Sequence, residues 1–149
     1  MRSLTVLYDS SCGFCSACRN WLSAQPQLVS LEFIPANHAE AARRYPTLAA
    51  AEPEELVVVS DEGGVYRGSH AWIICLWALA EYREWSFRLA SPALLPLARD
   101  AYAWVSDNRI GLSRLLRLAP DGDVVAALKS RRTKCESGVC DAPRDRAGR

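Results

Sequence analysis

A strand pattern that passes directly into a helix carrying two cysteines constrains the fold of this chain more than any other feature. Residues 4–8 form an apolar, β-branched-rich run, as expected for a buried parallel strand. Ser10 or Ser11 can cap the helix, which we expect to begin near Cys12. Cys15 follows three positions later, so both sulfurs lie on one side of the first turn, close enough to form a disulfide. We expect the first thiol at the exposed end and the second one turn deeper.

This placement predicts the chemistry of the pair. The first turn of a helix presents unpaired N–H groups and the positive end of the dipole, which favour an anion such as a thiolate. Such sites lower a cysteine pKa from about 8.5 to roughly 3.5–7.5. Cys12 is therefore the candidate nucleophile and Cys15 the candidate resolving thiol, unless both are inert core residues. Asp9 either accepts a cysteine proton or satisfies backbone N–H groups in the turn. Arg67 and Arg109 either neutralise a thiolate or lie solvated at the surface.

The composition is that of one globular domain. The chain has 149 residues, of which 50% are hydrophobic and 23% charged, a balance typical of soluble proteins. The formal net charge of +1 provides no field that would attract nucleic acid or an anionic membrane. The longest apolar run, residues 71–80, is about half the ~20 residues that span a bilayer, which argues against stable membrane insertion.

The cysteine content indicates reactive thiols. The N-terminus enters a strand pattern at once and has no cleavable apolar segment, so we expect a cytoplasmic location. In a reducing compartment, six cysteines indicate catalytic or metal-binding thiols rather than a disulfide scaffold. Cys75 is the exception, because it falls in the apolar stripe of a predicted helix and belongs to the core. His38 and His70 have no metal-ligand spacing and are expected at the surface.

Strand and helix patterns alternate over the first 90 residues. A second strand ends at Pro35, and Asn37 caps an Ala-rich helix. Residues 56–60 and 65–67 predict a hairpin across a Gly-Gly turn, and Ser69 caps the helix that follows. The order β-α-β-α-β-β-α is that of thioredoxin, with two parallel strands joined by a crossover helix and then a hairpin and a closing helix. The predicted fold class is therefore α/β, with a thioredoxin-like core and a C-terminal helical extension.

The composition changes after this core. We expect the core to occupy residues 1–90 and a helical extension packed on it to occupy residues 91–119, as one helix or as two broken near residues 108–111. Residues 120–149 are predicted to form a flexible basic tail. Two further cysteines, Cys135 and Cys140, lie in that tail.

Three motifs together resemble the thiol-disulfide oxidoreductase DCC family. They are the Asp-x-x-Cys-x-x-Cys signature that ends at Cys15, the segment VYRGSHA at 65–71, and YAWVSDNR at 102–109. The resemblance implies a thioredoxin-like fold and dithiol–disulfide exchange with protein or low-molecular-weight disulfides, without a metal or organic cofactor. In that chemistry Cys12 attacks as a thiolate and Cys15 resolves the mixed disulfide. The chain departs from the family pattern at Ser10, where a glycine is usual, and at the additional Cys18.

Two other functions are compatible with the sequence. Cys12, Cys15, Cys135 and Cys140 provide a Cys₄ set of the kind that binds structural zinc. Against this, cysteines on consecutive helical turns splay apart and fit a tetrahedron poorly; the tail pair can equally be a second redox pair. The third possibility is a non-catalytic adaptor whose basic C-terminal half binds a partner.

Overall fold

A four-stranded mixed sheet forms the centre of the described protein. The structure is a computed structural model that describes residues 1–49, 55–118 and 120, so Cys135, Cys140 and the predicted tail lie outside the described residues. The strands are β1 (Ser3–Tyr8), β2 (Ser30–Pro35), β3 (Val57–Ser60) and β4 (Val65–Arg67). Their order is β2-β1-β3-β4, with β2 parallel to β1 and the β1–β3 and β3–β4 pairs antiparallel.

Six helices are assigned within the described residues. They are α1 (Gly13–Ala24), α2 (Ala39–Arg44), α3 (Pro46–Ala49), α4 (Gly68–Ala78), α5 (Arg83–Leu89) and α6 (Leu95–Leu115). The element order contains the predicted β-α-β-α-β-β-α sequence, and the thioredoxin-like α/β fold class is confirmed. The short helices α3 and α5 were not predicted, because each has too few residues to establish a hydrophobic period.

Apolar residues on both faces of the sheet build the core. Along β1, Leu4 and Val6 point to one face and Leu7 to the other, as the two-residue period of a strand requires. The first face packs on a cluster that includes Leu22 of α1 and the fully buried Cys75 of α4. Because both faces of β1 are covered, its sequence is a continuous apolar run, and α1 starts from a rigid strand end.

The Gly-Gly hairpin forms where it was predicted. Gly63 has a φ of +87°, a left-handed conformation that glycine adopts without strain. The Ser60 N–H donates to the carbonyl of Gly64 at 2.8 Å, and the Gly64 N–H donates to the Ser60 hydroxyl at 2.9 Å. The turn therefore satisfies its own polar groups.

The three predicted helix caps are wrong. For α1, the cap is Cys12 rather than Ser10 or Ser11. The Ser10 hydroxyl bonds instead to the side chain of Asn37, which is in turn not the cap of α2. That cap is His38, whose Nδ1 accepts the N–H of Glu40 at 3.3 Å.

The predicted cap of α4 fails for a different reason. The helix begins at Gly68, one residue before Ser69, so the serine hydroxyl lies too far into the helix to cap it. Arg67 occupies the cap position and makes no side-chain hydrogen bond there. A φ of +57° at Gly68 allows the direct passage from β4 into the helix.

Helix α6 is continuous, so the alternative of a break near residues 108–111 is wrong. The Asn108 side chain donates to the carbonyl of Trp104 at 2.7 Å, a bond that lies along the helix and does not compete with it. Gly111 within a helix costs only about 1 kcal/mol. The helix contacts α1 and α4. None of the helices within the described ranges is long and apolar enough to cross a membrane.

The hydroxyl of Tyr102 fixes α6 to the start of the third strand by accepting the Leu56 N–H at 3.1 Å. Replacing Tyr102 by Phe leaves this half-buried N–H without its acceptor, so we expect the free energy of unfolding to fall by about 1–2 kcal/mol in urea titrations. Tyr66→Phe is the matched control, because the Tyr66 hydroxyl makes no hydrogen bond within the part of the chain that the structure describes. An equal loss in both variants would contradict this assignment.

Candidate active site

The sulfur of Cys12 caps helix α1. Cys12 has extended backbone angles, with φ −95° and ψ 114°, as N-cap residues do. Its Sγ accepts the backbone N–H of Cys15 at 3.3 Å, in the manner of a capping serine hydroxyl. The Cys12 carbonyl accepts the N–H of Ser16 at 3.0 Å, which starts the helical hydrogen-bond ladder. The two thiols therefore lie on the same side of the first turn.

A second N–H of this turn, that of Phe14, is satisfied by a side chain of α6. The Phe14 N–H donates to the Ser113 hydroxyl at 2.8 Å. The same hydroxyl donates to the carbonyl of Arg109 at 2.8 Å, so it joins α6 to α1. Ser113 lies 99 positions from Phe14, and no local sequence signal pointed to it.

The backbone at the end of α6 turns toward Gly13, the residue that follows Cys12. The N–H of Leu118 donates to the carbonyl of Ser113 at 2.9 Å, and the N–H of Arg117 donates to that of Arg114 at 3.2 Å. These two bonds form a Schellman motif, with Arg117 left-handed at φ 51° where glycine is usual. The Leu118 backbone then lies so close to Gly13 that a Cβ there would be 2.3 Å from the Leu118 oxygen.

The prediction of an exposed Cys12 is wrong. Cys12 is buried, with 7% of its surface exposed, whereas Cys15 and Cys18 are half-buried. The expectation of an exposed Cys12 considered only the helix end. Leu118, which lies beside Gly13, was not part of that expectation.

The proton distribution within the pair favours Cys12 as the thiolate. A hydrogen bond from the Cys15 thiol, together with the Cys15 N–H and the Arg109 guanidinium, lowers the pKa of Cys12 to about 6, against desolvation and the Asp9 charge. The same hydrogen bond, followed by burial, raises the pKa of Cys15. The hydrogen bond within the pair therefore favours the thiolate at Cys12 and the protonated thiol at Cys15.

Asp9 is held within the turn before the cap. Its Oδ1 accepts the Ser11 N–H at 2.9 Å and also the Ser11 hydroxyl. Its negative charge raises the pKa of Cys12, although this is the smallest of the effects on that thiol. The contacts of Asp9 are those of a residue that satisfies backbone groups in the turn, and a role in proton transfer stays a prediction.

An apolar cavity of about 90 Å³ borders the other side of the pair. Cys15 and Cys18 both line it, with Asp9 and Arg109 among its polar residues. Burial and the charge of Cys12 raise the pKa of Cys18 to about 11, so this third thiol is protonated at neutral pH. Cys12 is not among the lining residues, so the cavity adjoins the resolving side of the pair.

The other residues singled out in the sequence do not line this cavity. Arg67 is an exposed helix cap, and His38 and His70 are exposed. Cys75 is fully buried, and burial raises its pKa to about 12, as expected for a core thiol. Within residues 1–49, 55–118 and 120, no group of three His, Cys, Asp or Glu residues is placed to hold a metal ion.

The fold and the thiol pair place this chain among thioredoxin-like proteins with a Cys-x-x-Cys motif at a helix N-terminus. A family model described as DCC1-like thiol-disulfide oxidoreductase matches residues 6–115, and the chain belongs to this family. The resemblance seen in the sequence is thereby confirmed, and the match extends through α6. No curated protein and no solved structure matched the chain.

The ionisation of Cys12 can be measured by alkylation. Since only the thiolate reacts, the rate of Cys12 modification by iodoacetamide should fall as pH falls through about 6. Cys18, with a pKa of about 11, should stay slow throughout this range. Arg109→Gln should move the Cys12 midpoint upward, because a cation beside the thiolate is lost. A midpoint near the ordinary cysteine value of about 8.5 would contradict the proposed hydrogen bonding.

The close approach of Leu118 can be tested at Gly13. Gly13→Ala places a Cβ against the Leu118 carbonyl, so the turn must move, and we expect a loss of about 1–3 kcal/mol in unfolding free energy. Exchange of the Phe14 amide hydrogen should accelerate as Ser113 withdraws. In Gly111→Ala the new Cβ meets nothing within 4 Å, so this control should gain up to about 1 kcal/mol. Unchanged protection of Phe14 in Gly13→Ala would show that the contact is not formed.

Proposed function

We propose that the protein is a thiol–disulfide oxidoreductase in which Cys12 and Cys15 exchange electrons with protein or low-molecular-weight disulfides. The observation that carries this proposal is the Cys12 sulfur at the N-cap of α1, which accepts the Cys15 N–H and has a pKa of about 6. Such a thiol is ionised at neutral pH, and the thiolate is the attacking form in disulfide exchange. Membership of the DCC1-like family supports a thiol-disulfide redox role.

The first step forms a mixed disulfide. The Cys12 thiolate attacks one sulfur of the substrate disulfide, a new S–S bond forms, and the other substrate sulfur leaves as a thiolate that takes up a proton. Arg109 supports the anionic reactant, since its positive charge lowers the pKa of Cys12. No cofactor takes part, because two electrons pass directly between sulfur atoms.

The second step depends on a change in Cys15. Its pKa is raised first by the hydrogen bond to the Cys12 sulfur and also by the Cys12 charge. Once Cys12 is bonded to substrate, that charge is gone, so ionisation of Cys15 becomes easier. The Cys15 thiolate then attacks Cys12, forms the Cys12–Cys15 disulfide and releases the substrate thiol. The interaction with Cys12 thus keeps Cys15 protonated before the first step, and its loss allows Cys15 to ionise afterwards.

Asp9 is proposed to support this exchange by positioning. Its carboxylate fixes the Ser11 backbone, which immediately precedes Cys12. The cytoplasmic location expected from the sequence is part of this proposal and stays a prediction.

The alternative functions have less support. A zinc site on Cys12, Cys15, Cys135 and Cys140 takes two of its ligands from outside the described residues. A non-catalytic adaptor has no need of an ionised thiol beside a protonated one, so the ionised Cys12 supports exchange chemistry over an adaptor role.

A trapping experiment tests the proposal. Cys15→Ser cannot resolve the mixed disulfide, so incubation with a disulfide-bonded peptide should leave one peptide attached at Cys12, detected as a mass increase reversed by dithiothreitol. Cys12→Ser should form no such adduct. Cys18→Ser is the matched control one helical turn away and should still turn over the peptide. A folded Cys15→Ser protein that forms no adduct would contradict the proposed function.

A further inference from the structure

The outward face of α6 carries large apolar side chains. The helix packs on α1 and α4, yet none of its residues is buried within the described structure. Leu97 is 65% exposed, Trp104 61% and Leu115 78%. A helix at the surface of a single domain usually presents polar residues on its outward face, and exposed apolar patches mark interaction surfaces.

These side chains follow a heptad spacing along α6. Exposed residues separated alternately by four and three positions form one stripe, which we call the outer seam: Leu97, Ala101, Trp104, Asn108, Gly111 and Leu115. This is the spacing at which two helices pack side by side. From its first residue to its last, the outer seam is about 27 Å long.

The fold of one subunit gives no reason for Gly111. A Cβ there would meet nothing within 4 Å in the part of the chain that the structure describes, and Gly111 is not among the residues with a positive φ. In the interior of a helix, glycine is less favourable than every other residue except proline. A glycine at an open position of the outer seam does, however, allow a second backbone to approach closely.

The outer seam matches its own reversed copy. Its residues are placed symmetrically about Ser106, so an antiparallel pair of α6 helices brings them together in twos. The facing pairs are Leu97 with the partner's Leu115, Ala101 with the partner's Gly111, and Trp104 with the partner's Asn108. The leucines meet at both ends, and the pairs of small residues allow the two helices to approach between them. The Asn108 amide already donates to a carbonyl of its own helix, so a ring can cover it without removing that bond.

Charge favours the antiparallel direction. Asp100, Asp107 and Arg114 repeat every seven residues along one edge of the outer seam, and all three are exposed. In an antiparallel pair this edge meets the same edge of the partner, so Asp100 lies opposite the partner's Arg114 twice, whereas the two Asp107 side chains meet at the two-fold axis. In a parallel pair the charged edge would instead meet the other edge, which is formed by the uncharged residues Ala98, Val105 and Leu112.

We propose that the outer seam of α6 is the interface of a homodimer, in which it packs antiparallel against α6 of a second copy of this chain about a two-fold axis. The inner face of the helix, with Tyr102, Arg109 and Ser113, keeps its contacts within each subunit. This inference concerns assembly and does not depend on the redox function. A single helix pair is at the low end of specific interface sizes, so we expect a dissociation constant on the order of 10 µM.

Sedimentation equilibrium of the full chain tests the dimer. Between about 1 and 300 µM, and with dithiothreitol present to prevent disulfide-linked species, the protein should pass reversibly from monomer to dimer. A protein that stays monomeric throughout this range would overturn the inference, because the face would then be open or covered by another part of the chain.

Gly111→Gln tests the close approach of the two helices. Its longer side chain separates the backbones and should raise the dissociation constant about tenfold or more. At about 1 µM, where the monomer predominates, the same variant should resist urea at least as well as the original, since glutamine favours helix. Ala103→Gln is the matched control, because Ala103 is exposed on α6 outside the outer seam. Equal dissociation constants for the two variants would place any dimer interface elsewhere and overturn the proposal.

A charge exchange tests the direction of the pair. Asp100→Arg and Arg114→Asp each bring like charges together twice, so each should raise the dissociation constant about tenfold. The double variant restores opposite charges and should return the constant to within about threefold of its original value. Asp107→Asn should strengthen the dimer, because it removes the repulsion at the axis. Single variants that weaken the dimer without rescue in the double variant would contradict the antiparallel arrangement.

Discussion

The site depends on one hydrogen-bond acceptor, the Cys12 sulfur at the start of α1. The first turn of any helix has N–H groups without intrahelical partners, and here two of them are satisfied by side chains. The Cys15 N–H goes to the Cys12 sulfur, whereas the Phe14 N–H goes to Ser113 of α6. Because the Ser113 hydroxyl accepts the Phe14 N–H, the Cys12 sulfur is left to accept hydrogen bonds from Cys15. Ionising Cys12 strengthens its own cap, and so the reactive form is also the form that the helix favours.

Contacts from three residues make helix α6 part of the site. Tyr102 joins the helix to the start of the third strand, and Ser113 joins it to α1. Arg109, one turn before Ser113, contributes the positive charge that lowers the Cys12 pKa. Three residues on one helix thus act on the strand, the cap and the thiolate. The family match spans the same helix.

Local patterns predicted the fold better than they predicted the surroundings of the thiols. The β3–β4 turn was predicted correctly because a Gly-Gly pair between two strand patterns is a specific turn signal. Strand β1 was predicted correctly because burial of both its faces makes its sequence a continuous apolar run. The predicted helix caps were wrong, because Ser11 and similar residues can hydrogen-bond to several partners and the sequence does not show which partner they choose. The approach of Leu118 to Gly13 was not predicted either, because this contact joins residues more than one hundred positions apart and follows a turn in which Arg117, rather than a glycine, is left-handed.

Cys15 and Cys18 are neighbouring thiols whose raised pKa values have different causes. Both line the same cavity and both are half-buried. The Cys15 N–H donates to the Cys12 sulfur. Cys18 is one turn further along, and burial is the first cause of its raised pKa, which persists when Cys12 loses its charge. The leading cause at Cys15 is the hydrogen bond with Cys12. In the proposed mechanism, the mixed disulfide therefore lowers the pKa of Cys15 and leaves that of Cys18 raised.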